Sequence, residues 1–206
     1  LSETLMKKVF KEALDIDLKV PFPRMTYKEA MEKHKSDKPN LSKSKDDFQF
    51  LWVHEFPMLE FSEEEGRHVA VHHPFTAPRE EDLDLIEKDP TNVRSHGYDL
   101  VLNGFEIAGG SIRNHNSEIQ QRIFKALNIE EKEAKEKFGF LINALKQGAP
   151  PHGGIAFGLD RLIAVMAKED SIRDVIPFPK NKDAKDLMLD SPSEVSEEQL
   201  KELKLK

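Results

Sequence analysis

The chain has 206 residues, of which 38% are hydrophobic and 33% charged; this balance is typical of one soluble globular domain and excludes a disordered chain. The formal net charge of −7 excludes a strongly basic nucleic-acid surface as a global property, although local basic patches stay open. There is no cysteine, which excludes disulfides and thiolate metal sites. No apolar run approaches the roughly 20 residues that span a bilayer, so we expect no membrane partner. The lack of cysteine fits a reducing compartment, and we expect a cytoplasmic protein.

The N-terminal part of the chain predicts two helices and a polar segment. An apolar stripe predicts a helix over Ser2–Leu14. The capping-box pattern Thr26-Tyr27-Lys28-Glu29 predicts a short helix that continues to about Lys33. Residues 34–47 are polar and lack hydrophobic periodicity, and we interpret them as a linker.

Short strands and loops are predicted next. Residues 48–53 are aromatic and β-branched and predict a buried strand. The acidic residues 60–66 predict a turn, residues 68–71 a short strand, and residues 80–86 a short helix.

Two adjacent histidines, His72 and His73, follow the strand predicted at 68–71. Histidine can donate to a substrate carboxylate or exchange protons near neutral pH, although a purely structural loop histidine is the common alternative. His68 and His72 have the spacing of a helical metal pair, but the surrounding sequence is β-like and we expect no zinc site.

Asn103-Gly104 lies between two strand-like runs and predicts a two-residue β-hairpin turn. Such a turn pairs Leu102 with Phe105, Val101 with Glu106, Leu100 with Ile107 and Asp99 with Ala108. The apolar members then share one face, and Asp99 and Glu106 share the other. Two carboxylates beside small residues suit Mg²⁺, and an ordinary solvent-facing sheet surface is the alternative.

Arg113 lies seven residues after Glu106 and falls on the opposite face of a regular strand. We predict a β-bulge at Gly109-Gly110, which would bring Arg113 to the carboxylate face. There Arg113 could bind a substrate carboxylate in bidentate fashion; a salt bridge with a nearby acid is the alternative.

Two helices are predicted at about 117–127 and 130–146, and a strand followed by a helix is predicted at 153–163. Gly158 allows the chain to turn between that strand and helix. Arg161 falls in the first helical turn, where the helix dipole disfavours a cation, so an anion facing it is expected. A surface element formed by Asp160 and Arg161 is the alternative reading.

These segments together resemble the class II aminoacyl-tRNA synthetases, and in particular their bacterial aspartyl type. The resemblance is carried, in fixed order, by residues 22–27, 36–39, 71–78, 98–99, 103–113, 137–140, 150–161 and 172–180. It implies an α+β fold with a six-stranded antiparallel sheet flanked by helices, only part of which lies in this chain. Residues 1–206 correspond to the C-terminal part of the catalytic domain, with 34–47 at the place of an insertion domain.

The resemblance also implies the activity of an aspartate–tRNA ligase, which uses ATP and Mg²⁺ to activate L-aspartate and transfers it to the acceptor end of tRNA. It assigns ATP binding to Glu106, Gly158, Leu159, Asp160 and Arg161, with Arg161 and Glu106 catalytic. It assigns aspartate binding to His72, His73, Ser111 and Arg113, and Mg²⁺ binding to Asp99 and Glu106.

The family's anticodon-reading domain and its first two motifs have no counterpart here. Those motifs build the homodimer of the full-length enzyme and supply the arginine on the α-phosphate. We therefore expect a fragment with little or no aminoacylation of its own. A non-catalytic nucleotide- or partner-binding module, an asparagine-specific ligase and an amide-forming ligase are the alternatives.

Overall fold

The computed structural model describes residues 1–205, which form an α+β structure. The helices are α1 (Ser2–Leu14), α2 (Tyr27–His34), α3 (Ser117–Ala126), α4 (Glu131–Lys146), α5 (Leu159–Ala167) and α6 (Glu197–Glu202). The strands are β1 (Arg24–Thr26), β2 (Phe50–His54), β3 (Leu59–Ser62), β4 (Arg67–Ala70), β5 (Gly97–Leu102), β6 (Phe105–Ile112) and β7 (Gly153–Phe157). Short 3₁₀ helices span Glu80–Leu85, Pro90–Asn92 and Ile172–Asp174.

The main sheet has the strand order β1-β2-β5-β6-β7, and β3 and β4 form a separate two-stranded sheet. The expected α+β class is confirmed, but the implied six antiparallel strands are not: the described residues form five, and β1 pairs with β2 in parallel. Parallel pairing is possible because α2 and the segment after it form a connection long enough to cross over. The other neighbours in this sheet are antiparallel.

The two faces of the main sheet have different neighbours because side chains alternate along each strand. On one face, Leu100 and Leu102 pack in a core cluster with Phe10 of α1 and Leu162 of α5. On the other face, Val101 packs with Leu51, Val53, Ala30 and Phe56. Helices α1 and α5 thus cover the first face, and this leaves the second face for the polar residues of β5 and β6.

Most helices lie where the sequence predicted them, because their capping and periodicity signals are local. The Thr26 capping box is present, with both the Thr26 and the Glu29 side chains bound to backbone N–H groups. The turn predicted over residues 60–66 is wrong in its first half, since Phe61 pairs with His68 between β3 and β4. The helix predicted at 80–86 is a 3₁₀ helix. No helix within residues 1–205 is long and apolar enough to cross a membrane.

Candidate active site

The hairpin that joins β5 to β6 has the turn that its sequence predicted. Asn103 and Gly104 both adopt positive φ, at 50° and 86°, as a two-residue type I′ turn requires. The predicted pairs of Leu102 with Phe105 and Val101 with Glu106 are confirmed. Of the predicted apolar face, Leu100, Leu102 and Ile107 are buried, whereas Phe105, at the turn, is 45% exposed.

The hairpin contains a β-bulge at Ile107, which has no partner residue on β5. Leu100 pairs with Ala108 and Asp99 with Gly109, so the predicted pairs of Leu100 with Ile107 and Asp99 with Ala108 are wrong. The predicted irregularity exists, but it precedes Gly109-Gly110. The extra residue allows the consecutive Ile107 and Ala108 to pack in the same core cluster. The Ile107 carbonyl also accepts a hydrogen bond of 2.8 Å from the Gly158 N–H at the start of α5.

The bulge places the carboxylates of Asp99 and Glu106 on either side of a glycine. A Cβ atom built on Gly109 would lie 2.8 Å from Asp99 Oδ1 and 3.2 Å from Glu106 Oε1. Only a residue without a side chain leaves the space between them open. Asp99 is 5% exposed, whereas the Glu106 side chain is 29% exposed. The predicted convergence of the two acids on one face is therefore confirmed.

Arg161 reaches Glu106, one of these two acids, from the first turn of α5. Its Nη1 donates to the backbone carbonyl of Glu106 at 3.1 Å and lies 3.9 Å from Glu106 Oε2. The Arg161 side chain is 53% exposed, and its guanidinium has further N–H donors besides the one bound to the carbonyl. Gly158, Leu159 and Asp160 precede it as an exposed segment at the N-terminus of α5.

His72 joins the cluster from the loop after β4. Its Nε2 lies 3.4 Å from Asp99 Oδ1, and its ring packs edge-on against Phe56 with centroids 4.5 Å apart. The buried Nδ1 has no hydrogen-bond partner within residues 1–205. The ring is thus held against the buried carboxylate of Asp99.

His73 lies in the same loop, and a backbone hydrogen bond holds its ring. Its Nδ1 accepts a hydrogen bond from the Phe75 N–H at 3.2 Å, which places the proton of the neutral ring on Nε2. Burial lowers the pKa of His73 below the ordinary value of 6.5, and the positive charge of Arg113 lowers it further. The neutral form is therefore favoured at physiological pH.

Ser111 and Arg113 lie on the same side of β6 as Glu106, because the extra residue at the bulge shifts the alternation of side chains by one. Ser111 is buried, and its hydroxyl oxygen accepts from the Thr76 hydroxyl at 3.5 Å. The backbone of Arg113 bridges to Thr76, and its N–H donates to the His152 carbonyl at 2.9 Å. In residues 1–205 the Arg113 guanidinium has neither a hydrogen-bond acceptor nor an ion-pair partner.

Sequence reasoning assigned no role to Lys38, which the structure brings to the same carboxylate. Its Nζ lies 3.3 Å from Glu106 Oε2, and its side chain is 39% exposed. The available signal was its position in the Ser36-Asp37-Lys38-Pro39 motif, to which the sequence attached no chemistry. Glu106 is thus flanked by two cations from different parts of the chain, Lys38 and Arg161.

The donor set fits a hard divalent cation that keeps other ligands. Asp99 and Glu106 supply two carboxylates over the open space at Gly109, and Mg²⁺ commonly takes one or two carboxylates and fills its other positions with water and phosphate oxygens. No group of three or more potential His, Cys, Asp or Glu ligands occurs in the part of the chain described. A site formed by protein ligands alone is therefore not indicated within these residues.

Two cavities lie away from this cluster. One of about 460 Å³ lies on the helix-covered side of the sheet and includes Trp52 and Tyr98, whose rings are 6.2 Å apart. The other, of about 620 Å³, lies beside α2 and includes Tyr27 and Arg94. Neither is lined by the site residues predicted from sequence. The candidate site is the surface around Asp99, Glu106 and Arg161, which we call the carboxylate surface.

The fold and this surface define a domain of the class II aminoacyl-tRNA synthetase type. A family model described as tRNA synthetases class II (D, K and N) matches residues 1–182, and the chain belongs to this family. The resemblance inferred from the motifs is therefore confirmed at the level of the family.

Two curated relatives show high sequence identity to this chain. A protein named aspartate–tRNA(Asp/Asn) ligase from Caldanaerobacter subterraneus is 62% identical over 159 residues, which are 77% of this chain and 27% of that protein. An aspartate–tRNA ligase from Malacoplasma penetrans is 57% identical over 164 residues, or 80% of this chain and 28% of that protein. The chain thus spans little more than a quarter of the length of these relatives.

Solved structures of the same family share the fold. Aspartyl-tRNA synthetase from Entamoeba histolytica matches with a TM-score of 0.57 at 22% identity, covering 85% of this chain and 35% of that one. Asparaginyl-tRNA synthetase from Pyrococcus horikoshii matches with a TM-score of 0.55 at 21% identity, covering 79% and 36%.

Proposed function

We propose that this chain supplies the nucleotide- and aspartate-binding surface of an aspartate–tRNA ligase. The ligase activates L-aspartate with ATP to aspartyl-adenylate and then transfers the aspartyl group to the acceptor end of tRNA. The observation that supports this proposal is that Asp99 and Glu106 flank the open space at Gly109, while Arg161 Nη1 lies 3.9 Å from Glu106 Oε2. A surface with two carboxylates and a guanidinium suits a metal–triphosphate better than it suits either an anion or a cation alone.

Arg161 is proposed to bind the ATP phosphates. Its partly exposed guanidinium retains donors after the bond to the Glu106 carbonyl, and guanidinium groups bind phosphate in bidentate fashion. Gly158, Leu159 and Asp160 would line the nucleotide beside it. Because activation needs no protein nucleophile, the residues contribute by positioning the reactants and by stabilising charge on the phosphates.

Asp99 and Glu106 would hold Mg²⁺ together with ATP. When bound, the cation would neutralise charge on the phosphate oxygens and so assist departure of pyrophosphate. His72 would keep the Asp99 carboxylate in place through its contact at 3.4 Å. In the proposed reaction the substrate carboxylate attacks the α-phosphate in line, and pyrophosphate leaves.

Arg113 is proposed to bind the side-chain carboxylate of aspartate. Its guanidinium has no anionic partner among residues 1–205. His73 lies near enough for the Arg113 charge to lower its pKa, and the buried Ser111 lies on the same side of β6. Asparagine would put an amide N–H₂ donor against the guanidinium and leave a charge unpaired, which discriminates against it. His72, His73 and Ser111 would complete the aspartate site.

The complete enzyme is proposed to be a homodimer in the cytoplasm that binds the acceptor end of tRNA. The name of the Caldanaerobacter relative includes both tRNA(Asp) and tRNA(Asn), whereas the Malacoplasma relative is named aspartate–tRNA ligase. Which of the two tRNAs the enzyme accepts is a separate property, because the residues proposed here bind the amino acid and the nucleotide.

Calorimetric titration of the chain with a non-hydrolysable aspartyl-adenylate analogue, in the presence of Mg²⁺, tests the proposal. We expect the aspartyl analogue to bind more tightly than the asparaginyl analogue, and Arg113→Leu to remove this preference. An asparagine-specific ligase would show the reverse order in the unmodified chain. Failure of both analogues to bind would overturn the proposal in favour of a module without this site.

ATP–pyrophosphate exchange with aspartate measures turnover separately. We expect weak exchange by the chain alone, because the resemblance accounts for only part of a synthetase active site. Vigorous exchange would contradict this expectation while supporting the assigned activity.

A further inference from the structure

The segment that follows α2 holds Lys38 over the β5–β6 hairpin. The Lys38 N–H donates to Ser36 Oγ at 3.0 Å, which forms a tight turn, and the neighbouring Pro39 is buried. The Cβ of Asn40 lies 3.3 Å from the place where a Cβ on Gly104 would be. The Lys38 backbone is therefore packed on the hairpin turn.

The far end of the same segment is attached to the hairpin and to α5. The side chain of Asn103 accepts from the Gln49 N–H at 2.8 Å and donates to the Asp47 carbonyl at 2.9 Å. Lys45 Nζ lies 2.7 Å from Asp170 Oδ1, and Asp46 pairs with Lys168 just after α5. Since both ends of the segment are attached, the backbone holds Lys38 in a fixed position close to Glu106.

Lys38 and Arg161 approach the same oxygen of Glu106, Oε2, at 3.3 and 3.9 Å. The two cations differ in how they are held, because Arg161 also binds the Glu106 carbonyl. The Lys38 ammonium makes only ion-pair contacts within residues 1–205, with Glu106 at 3.3 Å and with Asp37 at 3.9 Å. An ammonium on a flexible stem can exchange partners by rotation of its own side chain.

We propose that Lys38 is a phosphate-binding residue that exchanges partners when the nucleotide arrives. Without a divalent cation its ammonium neutralises Glu106. When metal–ATP binds, the cation would neutralise the Glu106 carboxylate, and the ammonium would move from Oε2 to the phosphate oxygens. This inference rests on the proposed function and adds a residue and an exchange of partners to it.

The exchange gives Lys38 opposite effects on two binding reactions. The ammonium competes with a free divalent cation for Glu106, so its removal strengthens binding of the metal alone. The same ammonium contacts the phosphates in the complex, so its removal weakens binding of metal–ATP. A merely structural role for Lys38 would weaken both reactions together.

The test is titration of the full chain with Mn²⁺ alone and with Mn²⁺–ATP, using the electron paramagnetic resonance signal of free Mn²⁺. Mn²⁺ prefers the same oxygen ligands as Mg²⁺. For Lys38→Met we expect binding of Mn²⁺ alone to become about threefold tighter. Binding of Mn²⁺–ATP should become about tenfold weaker.

Two further variants complete the comparison. Lys43→Met, in the same segment but with an exposed side chain that makes no ion pair within residues 1–205, should leave both affinities unchanged. Lys38→Arg retains a cation at the site and should lie between the unmodified chain and Lys38→Met, which also covers the case in which Lys38→Met does not fold.

The outcomes distinguish failure of the exchange at Lys38 from failure of the proposed function. If the unmodified chain binds Mn²⁺–ATP and both affinities are unchanged, or both fall, in Lys38→Met, the exchange is refuted and the proposed function stands. If the unmodified chain binds no Mn²⁺–ATP, the proposed function fails and this inference fails with it.

Discussion

Replacement of Gly109 by alanine should damage the carboxylate surface at its centre. The added Cβ would lie 2.8 Å from Asp99 Oδ1, closer than real Cβ contacts, and 3.2 Å from Glu106 Oε1. Asp99 is 5% exposed and its strand is paired on both sides, so the carboxylate cannot turn freely into solvent. Relief of the contact therefore requires a shift of about half an ångström in Asp99 or in the β6 backbone.

The expected magnitude follows from two effects. Overpacking of this kind costs about 1–3 kcal/mol of the free energy of unfolding, partly offset by about 0.5 kcal/mol from the lower entropy of the unfolded alanine chain. A displaced carboxylate weakens its contact with the cation, and contacts to charged groups are worth about 1.5–3 kcal/mol, so we expect about tenfold weaker Mg²⁺–ATP binding.

Urea unfolding and calorimetric titration with Mg²⁺–ATP measure the two effects in the Gly109→Ala chain. The matched control is Gly154→Ala on β7, where an added Cβ meets nothing within 4 Å. We expect the control to stay within about 0.5 kcal/mol of the unmodified chain. Unchanged Mg²⁺–ATP affinity in Gly109→Ala would refute the reasoning that the open space at this glycine forms the binding site.

Two further predictions concern charges outside the site. Asp82 accepts hydrogen bonds from the N–H, Nε and Nη2 of Arg94, which hold the pKa of Asp82 below its ordinary value of 3.8. In urea unfolding, Asp82→Asn should therefore lower the free energy of unfolding at pH 7 by about 2 kcal/mol, and this difference should fade as the pH drops below 3.8. The control Asp84→Asn, at an exposed position, should change the free energy of unfolding little. Burial, and then the charge of Arg79, lower the pKa of His96 below its ordinary value of 6.5. The neutral ring therefore contributes fully to stability above pH 6.5, and this contribution is lost as the pH falls below that value. In His96→Gln the fall in unfolding free energy between about pH 7 and 5 should become flatter, and an unchanged slope would contradict this assignment.

Local signals in the sequence determined most helices and the hairpin. The Thr26 capping box, the Asn103-Gly104 turn and the strand–helix change at Gly158 each act over a few residues, so neighbouring side chains suffice to specify them. The alternation along the hairpin also placed Asp99 and Glu106 on one face correctly. The family's motifs added proposed roles to these residues, which the experiments above are designed to test.

Only the tertiary structure decided the register on which the site depends. A sequence can indicate that β6 contains an irregularity, but its position at Ile107 depends on packing against α1 and α5 and on the bond from Gly158. This register, rather than the predicted one, sets Gly109 opposite Asp99. Likewise, no local pattern connects Lys38 to Glu106, because their contact is produced by a segment attached to the hairpin and to α5. Contacts between distant segments depend on how the whole core packs, and this information is not contained in the pattern of any one segment.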